Sequence, residues 1–308
     1  MAKLGIIGGA GLLGATTAFC VASEGLFDEI ILSDIKENLA RSHVMDIEQA
    51  VCESTGTQLS TGRPDDLKIC DIVLITAGIP EIKAASRDAY LSGNIAILRE
   101  LAECIKQWGT APVILSATNP IDVLNYSLHK MTGLPREKFI GFSRNDTIRL
   151  KWAAAQVTGI PASQLEALVI GEHGDRQEPV FSQLRLKDSE NALDLSDDVR
   201  ERILARVRAW FGEYQELDSG RSSGWTSGAG LCAIIKAILT DSDELLPCSV
   251  VPDGEYGLSG LSIGLPVLLG RTGLREIVEI VLNESEKSRL SYAAEKIKSL
   301  IDSLHLSY

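Results

Sequence analysis

Basic side chains are in short supply: 30 Lys and Arg stand against 42 Asp and Glu in 308 residues, a net charge of −12. Nucleic acids and anionic membranes both demand a basic face, so neither is expected as a partner. A small anionic ligand is still allowed, because a few buried arginines can hold it whatever the net charge. Cysteines are few and scattered. Cys20, Cys52, Cys70, Cys104, Cys232 and Cys248 form no C-x-x-C pair and have no neighbouring histidine. That pattern speaks against a disulfide framework or a zinc centre, so no metal is expected and a reducing, cytoplasmic setting fits best.

An unbroken apolar span is missing too. Leu4–Ser23 carries no charge and follows Lys3, which gives it the look of a leader peptide or membrane helix, yet five glycines interrupt it. It reads instead as a buried strand, a turn and a helix. There are no internal repeats and no low-complexity linker. With 45% hydrophobic and 23% charged residues the chain has the balance of a globular protein.

What the sequence does have is a strand–helix rhythm. Leu4–Gly8 and Glu29–Ser33 read as strands, Leu12–Glu24 and Lys36–Cys52 as helices. Asp71–Thr76 and Pro112–Ser116 are apolar, β-branched runs of the kind buried on both faces of a parallel sheet, with a helix at Gly93–Trp108 between them. Another helix follows Pro120, placed in its first turn, and a short strand ends at Gly141. Such alternation implies an α/β fold with a Rossmann-type doubly wound parallel sheet. Beyond 141 the rhythm changes to a mixed α+β pattern. Helices are expected at Asp146–Val157, 196–216 and 225–239, and strands at Ala167–Ile170, Val180–Leu186 and 245–251. Asn283 and Glu286 have capping-box spacing at the start of a final helix. Two domains are therefore expected, residues 1–141 and 142–308.

Gly9-Ala10-Gly11-Leu12-Leu13-Gly14 is a G-x-G-x-x-G turn directly after a strand and opening a helix. Its glycines permit a tight turn, close approach of a pyrophosphate to backbone N–H groups, and close helix–strand packing. Asp34 ends the second strand, where a carboxylate accepts hydrogen bonds from ribose hydroxyls and repels a 2′-phosphate. NAD is thus favoured over NADP. Taken alone the turn could be an ordinary glycine-rich loop; strand, helix and Asp34 together make the dinucleotide reading the better one. Of the four histidines, His43 and His129 lie in helical patterns and His305 near the C-terminus. Only His173 sits in a segment built to expose it, Gly171-Glu172-His173-Gly174-Asp175.

At this point the sequence resembles the lactate/malate dehydrogenase family along nearly its whole length. The matching segments include the glycine turn, Thr76-Ala77-Gly78, Ser86-Arg87-Asp88, Thr118-Asn119-Pro120, Asp146-Thr147-Ile148-Arg149, Gly171–Asp175, Pro179–Ser182 and Asp253–Gly257, in the same order. The resemblance implies a cofactor site at Gly9, Gly11, Leu12, Leu13, Gly14, Asp34, Thr76, Ala77, Gly78, Asn94, Thr118 and Asn119, and a 2-hydroxy or 2-oxo acid as substrate. By the same resemblance His173 is the proton donor and acceptor, Asp146 holds its other ring nitrogen, and Arg87 polarises the carbonyl. Arg149 would grip the substrate carboxylate, with Asn119 and Ser223 lining the pocket and Asn119–Pro120 a candidate cis peptide. Asp146 and Arg149 lie three apart on an expected helix and so share a face. A dimer or tetramer is also implied, with the 41–52 helix in the contact.

The sequence departs from the family in the segment from Gly78 to about Leu91, which the family uses as a lid. Where lactate enzymes carry glutamine and malate enzymes arginine, this chain has Glu81, with Lys83 close by. Three readings follow: Glu81 faces solvent and the substrate is lactate-like; Lys83 takes the second carboxylate of a malate-type substrate; or Glu81 recognises a polar or cationic tail. The first ranks ahead of the others. Arg176-Gln177-Glu178 is unusually charged for its place, either altering specificity or pairing Arg176 with Glu178. A non-catalytic NAD-binding protein is the chief rival reading. An NAD-using glycosidase with a divalent metal is a weaker one, because its Cys and His ligands are not found.

Overall fold

A computed structural model describes residues 2–79, 87–220 and 223–304, excepting the side chains of 87–90. Five mainly apolar runs and the polar edge segment Gln58–Thr61 form the strands β1 (Lys3–Ile7), β2 (Glu29–Ser33), β3 (Gln58–Thr61), β4 (Ile72–Ile75), β5 (Val113–Ser116) and β6 (Phe139–Phe142). They pair in parallel in the order β3-β2-β1-β4-β5-β6. Parallel neighbours require crossovers, supplied by helices α1 (Leu12–Ser23), α2 (Glu37–Val51), α3 (Arg87–Gln107) and α4 (Ile121–Thr132). Helix α1 packs with α2 and α3 with α4, and β4, β5 and β6 are buried throughout. This is a doubly wound Rossmann sheet. Its strand order reverses at β1 and β4, where chain ends diverge and leave a crevice for a ligand.

The second half comprises α5 (Arg144–Thr158), β7 (Leu165–Glu166), β8 (Val169–Gly171), β9 (Gln177–Pro179), β10 (Arg185–Leu186), α6 (Asp197–Glu216), α7 (Trp225–Thr240), β11 (Leu246–Val250), β12 (Ile263–Gly270), β13 (Gly273–Ile277) and α8 (Glu284–Ser303). Rather than building a separate sheet, it extends the first. Strand β11 pairs antiparallel with β6, and the order continues through β12 to β8 and β9. One apolar core consequently joins Ile6 of β1, Phe139 of β6, Leu265 of β12 and Ile297 of α8. A smaller cluster of Leu150, Leu165, Leu184 and Ile203 seats α6 on α5. The capping box at α8 forms as expected, with Asn283 and Glu286 exchanging backbone hydrogen bonds at 2.9 Å. Among the described residues no helix is long and apolar enough to cross a membrane.

Several elements differ from the sequence expectation. Val180–Leu186 is not a strand: the Gln183 N–H turns back to the Val180 carbonyl at 2.9 Å, a 3₁₀ turn follows, and only Arg185–Leu186 remains extended. Strand β3 and the β12–β13 hairpin are additional. Gly264 and Pro266 break the apolar pattern of β12 on paper, yet Pro266 is tolerated opposite Pro247 of β11. Helix α3 begins at Arg87 rather than at Gly93. Pro120 caps α4 instead of occupying its first turn; the Asn119–Pro120 peptide is cis, as expected.

Arg136, just beyond α4, is tied to the turn between β11 and β12. Its guanidinium donates to both Glu255 oxygens at 2.8 and 3.1 Å and to the Val251 carbonyl at 3.1 Å. These hydrogen bonds hold the Glu255 carboxyl down at about 2, from an ordinary 4.5. A depressed carboxylate stabilises the fold above its unfolded pKa and loses that contribution as pH falls toward the folded value. Glu255→Gln should therefore cost about 1–2 kcal/mol at neutral pH and flatten the decline in stability between pH 4.5 and 2. Denaturant unfolding across that range checks it; parallel curves for the two proteins would contradict it.

Candidate active site

The glycine turn lies where β1 meets α1. A Cβ on Gly14 would stand 2.4 Å from the Gly8 carbonyl oxygen, so no larger residue fits without moving the turn. Helix α1 starts at Gly11 with no side-chain cap, leaving its first N–H groups for an anionic ligand. Asp34 closes the turn from β2, accepting the Ala10 N–H at 3.0 Å and the Lys36 N–H at 2.9 Å. Leu12 is more than a third exposed beside it, Leu13 half-buried. The cradle thus has the glycines, free N–H groups and carboxylate that a dinucleotide's pyrophosphate and ribose require.

The far wall of the crevice is fixed by backbone-directed side chains. Thr76 donates to the Ile7 and Gly8 carbonyls at 3.1 Å, and Thr118 to the Ala77 carbonyl at 2.8 Å, with Gly78 packed against the Thr118 methyl. Asn94 is wholly buried. It accepts the Ile79 N–H at 2.7 Å and donates to the Asn119 carbonyl at 2.8 Å. Both ends of its amide engage backbone, so it aligns the two loops that border the crevice. The Asn119 side chain is exposed at the end of β5.

Across the crevice, α5 presents Asp146, Arg149 and Asn145 on one face. His173 Nδ1 lies 2.6 Å from Asp146 Oδ2, and Arg149 Nη1 lies 3.5 Å from Asp146 Oδ1. One nearly buried carboxylate therefore serves both cationic groups. The His173 loop leaves β8 at Gly171, whose φ of +91° and a Cβ position 2.9 Å from the Arg176 carbonyl leave room for no side chain. Burial alone would push the imidazole pKa down; the charge and hydrogen bond of Asp146, with Asp122 behind, outweigh this and raise it above the ordinary 6.5. With Nδ1 held by Asp146, Nε2 is left to exchange a proton with a ligand.

Ser223 is half-buried and precedes α7, which begins at Gly224 against the Leu12 side chain. This brings Ser223 and Ser227 to the same crevice, where Ser227 meets Asn145 Nδ2 at 2.6 Å. Arg87 supplies the first residue of α3; Glu81 and Lys83 lie outside the described residues. Arg176 and Glu178 do not pair. Arg176 stacks on Tyr292 and approaches Glu172 at 3.8 Å, while the buried Glu178 is met by Arg289 at 2.5 Å.

Two neighbours of the cluster went unnoticed in the sequence. Trp210 of α6 lies under the Arg149 guanidinium, 4.6 Å from ring centre to Cζ, a contact worth about 0.5–2 kcal/mol that holds the guanidinium plane. Nothing near Trp210 announces it, since the contact is made between two helices distant along the chain. Asp122 accepts the His173 backbone N–H at 2.8 Å. Its signal was available: an acid within the apolar Ile121–Leu124 stretch.

The close approach at Gly14 generates a direct test. Gly14→Ala is predicted to weaken NADH binding at least about tenfold, equivalent to about 1.4 kcal/mol, while the protein stays folded. Fluorescence titration with NADH reads this, and an unchanged Kd would contradict the cradle described here.

Comparison with known proteins agrees with this architecture. Residues 2–141 match the model of the lactate/malate dehydrogenase NAD binding domain, and residues 144–305 that of the lactate/malate dehydrogenase alpha/beta C-terminal domain. A malate dehydrogenase of Halobacterium salinarum is 33% identical over 99% of this chain and 100% of its own length. An L-lactate dehydrogenase of Bacillus caldolyticus is also 33% identical, over 96% of this chain and 95% of its own. Among solved structures, the malate dehydrogenase of Salinibacter ruber superimposes with a TM-score of 0.89 at 31% identity, covering 98% of this chain and 97% of that one. The Cryptosporidium parvum lactate dehydrogenase, solved with lactic acid and NAD, gives 0.90 at 27% identity, covering 100% and 99%. With both halves matched and relatives of both specificities at equal distance, the chain belongs to the lactate/malate dehydrogenase family of NAD-dependent oxidoreductases.

Proposed function

We propose that this enzyme interconverts a small L-2-hydroxy acid and its 2-oxo acid, with a neutral, lactate-like side chain preferred. The observation that carries the reading is the single Asp146 carboxylate shared by His173 at 2.6 Å and Arg149 at 3.5 Å. Arg149, its plane held on Trp210, is suited to grip the substrate carboxylate with two parallel N–H bonds. That grip sets the carbonyl oxygen toward His173. In reduction His173 Nε2 donates the proton that converts the carbonyl oxygen to hydroxyl, and Asp146 stabilises the imidazolium beforehand. NADH, when bound, supplies the hydride to the carbonyl carbon. In the oxidising direction His173 takes the hydroxyl proton back. Arg87 polarises the carbonyl, while Asn119 and Ser223 line the space between substrate and cofactor.

The preference for a neutral side chain is supported by the pocket wall. A dicarboxylate needs a second cation beside Arg149, and one helical turn before it on α5 stands the uncharged Asn145, bonded to Ser227 of α7, with Ser223 just ahead of that helix. The alternative is a malate enzyme in which Lys83 takes the second carboxylate. NADH oxidation followed with pyruvate, oxaloacetate, branched neutral and hydroxylated 2-oxo acids separates the two. The expected result is a higher kcat/KM for a neutral monocarboxylic acid than for oxaloacetate, and a fall of about 10²–10⁴-fold in His173→Ala. A strong preference for oxaloacetate would replace the lactate-like reading with the malate one. Unchanged turnover in His173→Ala would remove the proposed proton donor.

A further inference from the structure

Behind the His173 loop lies a buried polar chain that none of the roles above uses. Asp122, in the first turn of α4, is 3% exposed. Its Oδ2 accepts the backbone N–H of His173 at 2.8 Å and its Oδ1 the Ser249 hydroxyl at 2.5 Å. Ser249 Oγ in turn lies 2.8 Å from Ser262 Oγ, and Asn125 Nδ2 reaches Ser262 Oγ at 2.9 Å. Asn125 Oδ1 accepts from Ser116 of β5 at 3.0 Å, and Ser249, Ser262 and Asn125 are wholly buried.

The direction of these bonds follows from donor counting. The Asn125 amide nitrogen can only donate, so Ser262 accepts it. Ser249 gives its single proton to the Asp122 carboxylate and must accept from Ser262. Every proton in the chain points toward Asp122, and successive donors polarise one another in a buried setting. The α4 N-terminus adds its positive dipole end. Such an arrangement is built to receive negative charge. An ordinary structural hydrogen bond to a backbone N–H would need only a neutral acceptor.

We propose that Asp122 is a positioning residue for the active site, whose buried carboxylate fixes the main chain at His173 and places a second negative charge behind the imidazole. The inference rests on the reading of His173 given above. Burial pushes the Asp122 carboxyl up to about 6, while the hydrogen bonds from Ser249 and His173 favour its ionised form. The charged groups facing the pair are Asp146 and Arg149 on α5 and Glu172 beside His173; Glu172 is itself held by Lys296 of α8 at 2.9 Å. Asp146 directs the ring through Nδ1. Asp122 acts on the other side through the backbone, and the charges of the two carboxylates together raise the proton affinity of the buried imidazole.

The test is the NMR titration of the His173 imidazole, assigned by its loss in His173→Ala, in wild type and Asp122→Asn. Asparagine keeps an acceptor for the His173 N–H and removes the charge. The proposal expects the imidazole pKa to fall by about one unit, kcat for 2-oxo acid reduction above neutral pH to fall about tenfold, and NADH affinity to stay unchanged. Superimposable titrations of the two folded proteins would overturn it. Should Asp122→Asn not fold, Ser249→Ala removes a donor that favours the ionised carboxylate, so Asp122 stays protonated to higher pH and a smaller downward shift of the imidazole is expected; no shift there overturns the proposal. A shifted titration in a protein that turns over no 2-oxo acid would support the Asp122 role and refute the functional reading alone.

Discussion

The proposed chemistry converges on the carboxylate of Asp146. It is 4% exposed, and a carboxylate buried to that extent costs several kcal/mol unless its oxygens are fully engaged. His173 takes one oxygen and Arg149 the other, so two cationic groups carried by different elements hold a fixed relation to each other. The position is set early in the fold. Asp146 stands in the first turn of α5, where the helix dipole favours an acid, and α5 is anchored by Leu150, Ala153 and Ala154 in the core beneath α6. A shift of that helix would move the partner of His173 and the Arg149 guanidinium together.

The continuous sheet explains how so precise a relation is kept between two halves of the chain. The cofactor cradle sits at the ends of β1, β2 and β4, while His173 follows β8. Because β11 joins β6 edge to edge and β12 carries β8, both lie on one sheet with one apolar core. The Arg136–Glu255 pair and the buried chain from Ser116 through Asn125 to Asp122 cross the same junction with polar contacts. The shared sheet therefore sets the distance between the glycine turn and the His173 loop, with the Arg149–Trp210 contact adding a third support from α6.

Much of this was legible in the sequence because local signals are strong where the backbone is constrained. The turn Gly9–Gly14, Asp34 at a strand end, and the glycines beside His173 declare themselves through spacing alone. The pairing of Asp146 with Arg149 follows from helical periodicity. Legibility failed where tertiary pairing overrode local pattern. Pro266 hid β12 because a proline in a strand is tolerated only once its neighbour across the sheet is known. Trp210 and the donors to Asp122 come from distant segments, and no spacing rule links them.

The most direct test of the account is the pH dependence of kcat/KM for 2-oxo acid reduction in wild type and Asp146→Asn. A proton donor with a raised pKa keeps the rate high below that pKa and loses it as pH rises through it. A single alkaline limb is expected in the wild type, centred above the ordinary imidazole value of 6.5. In Asp146→Asn that limb should move to lower pH while kcat falls. A wild-type rate flat across the range, or identical limbs in the two proteins, would contradict the claim that Asp146 and His173 together deliver the proton.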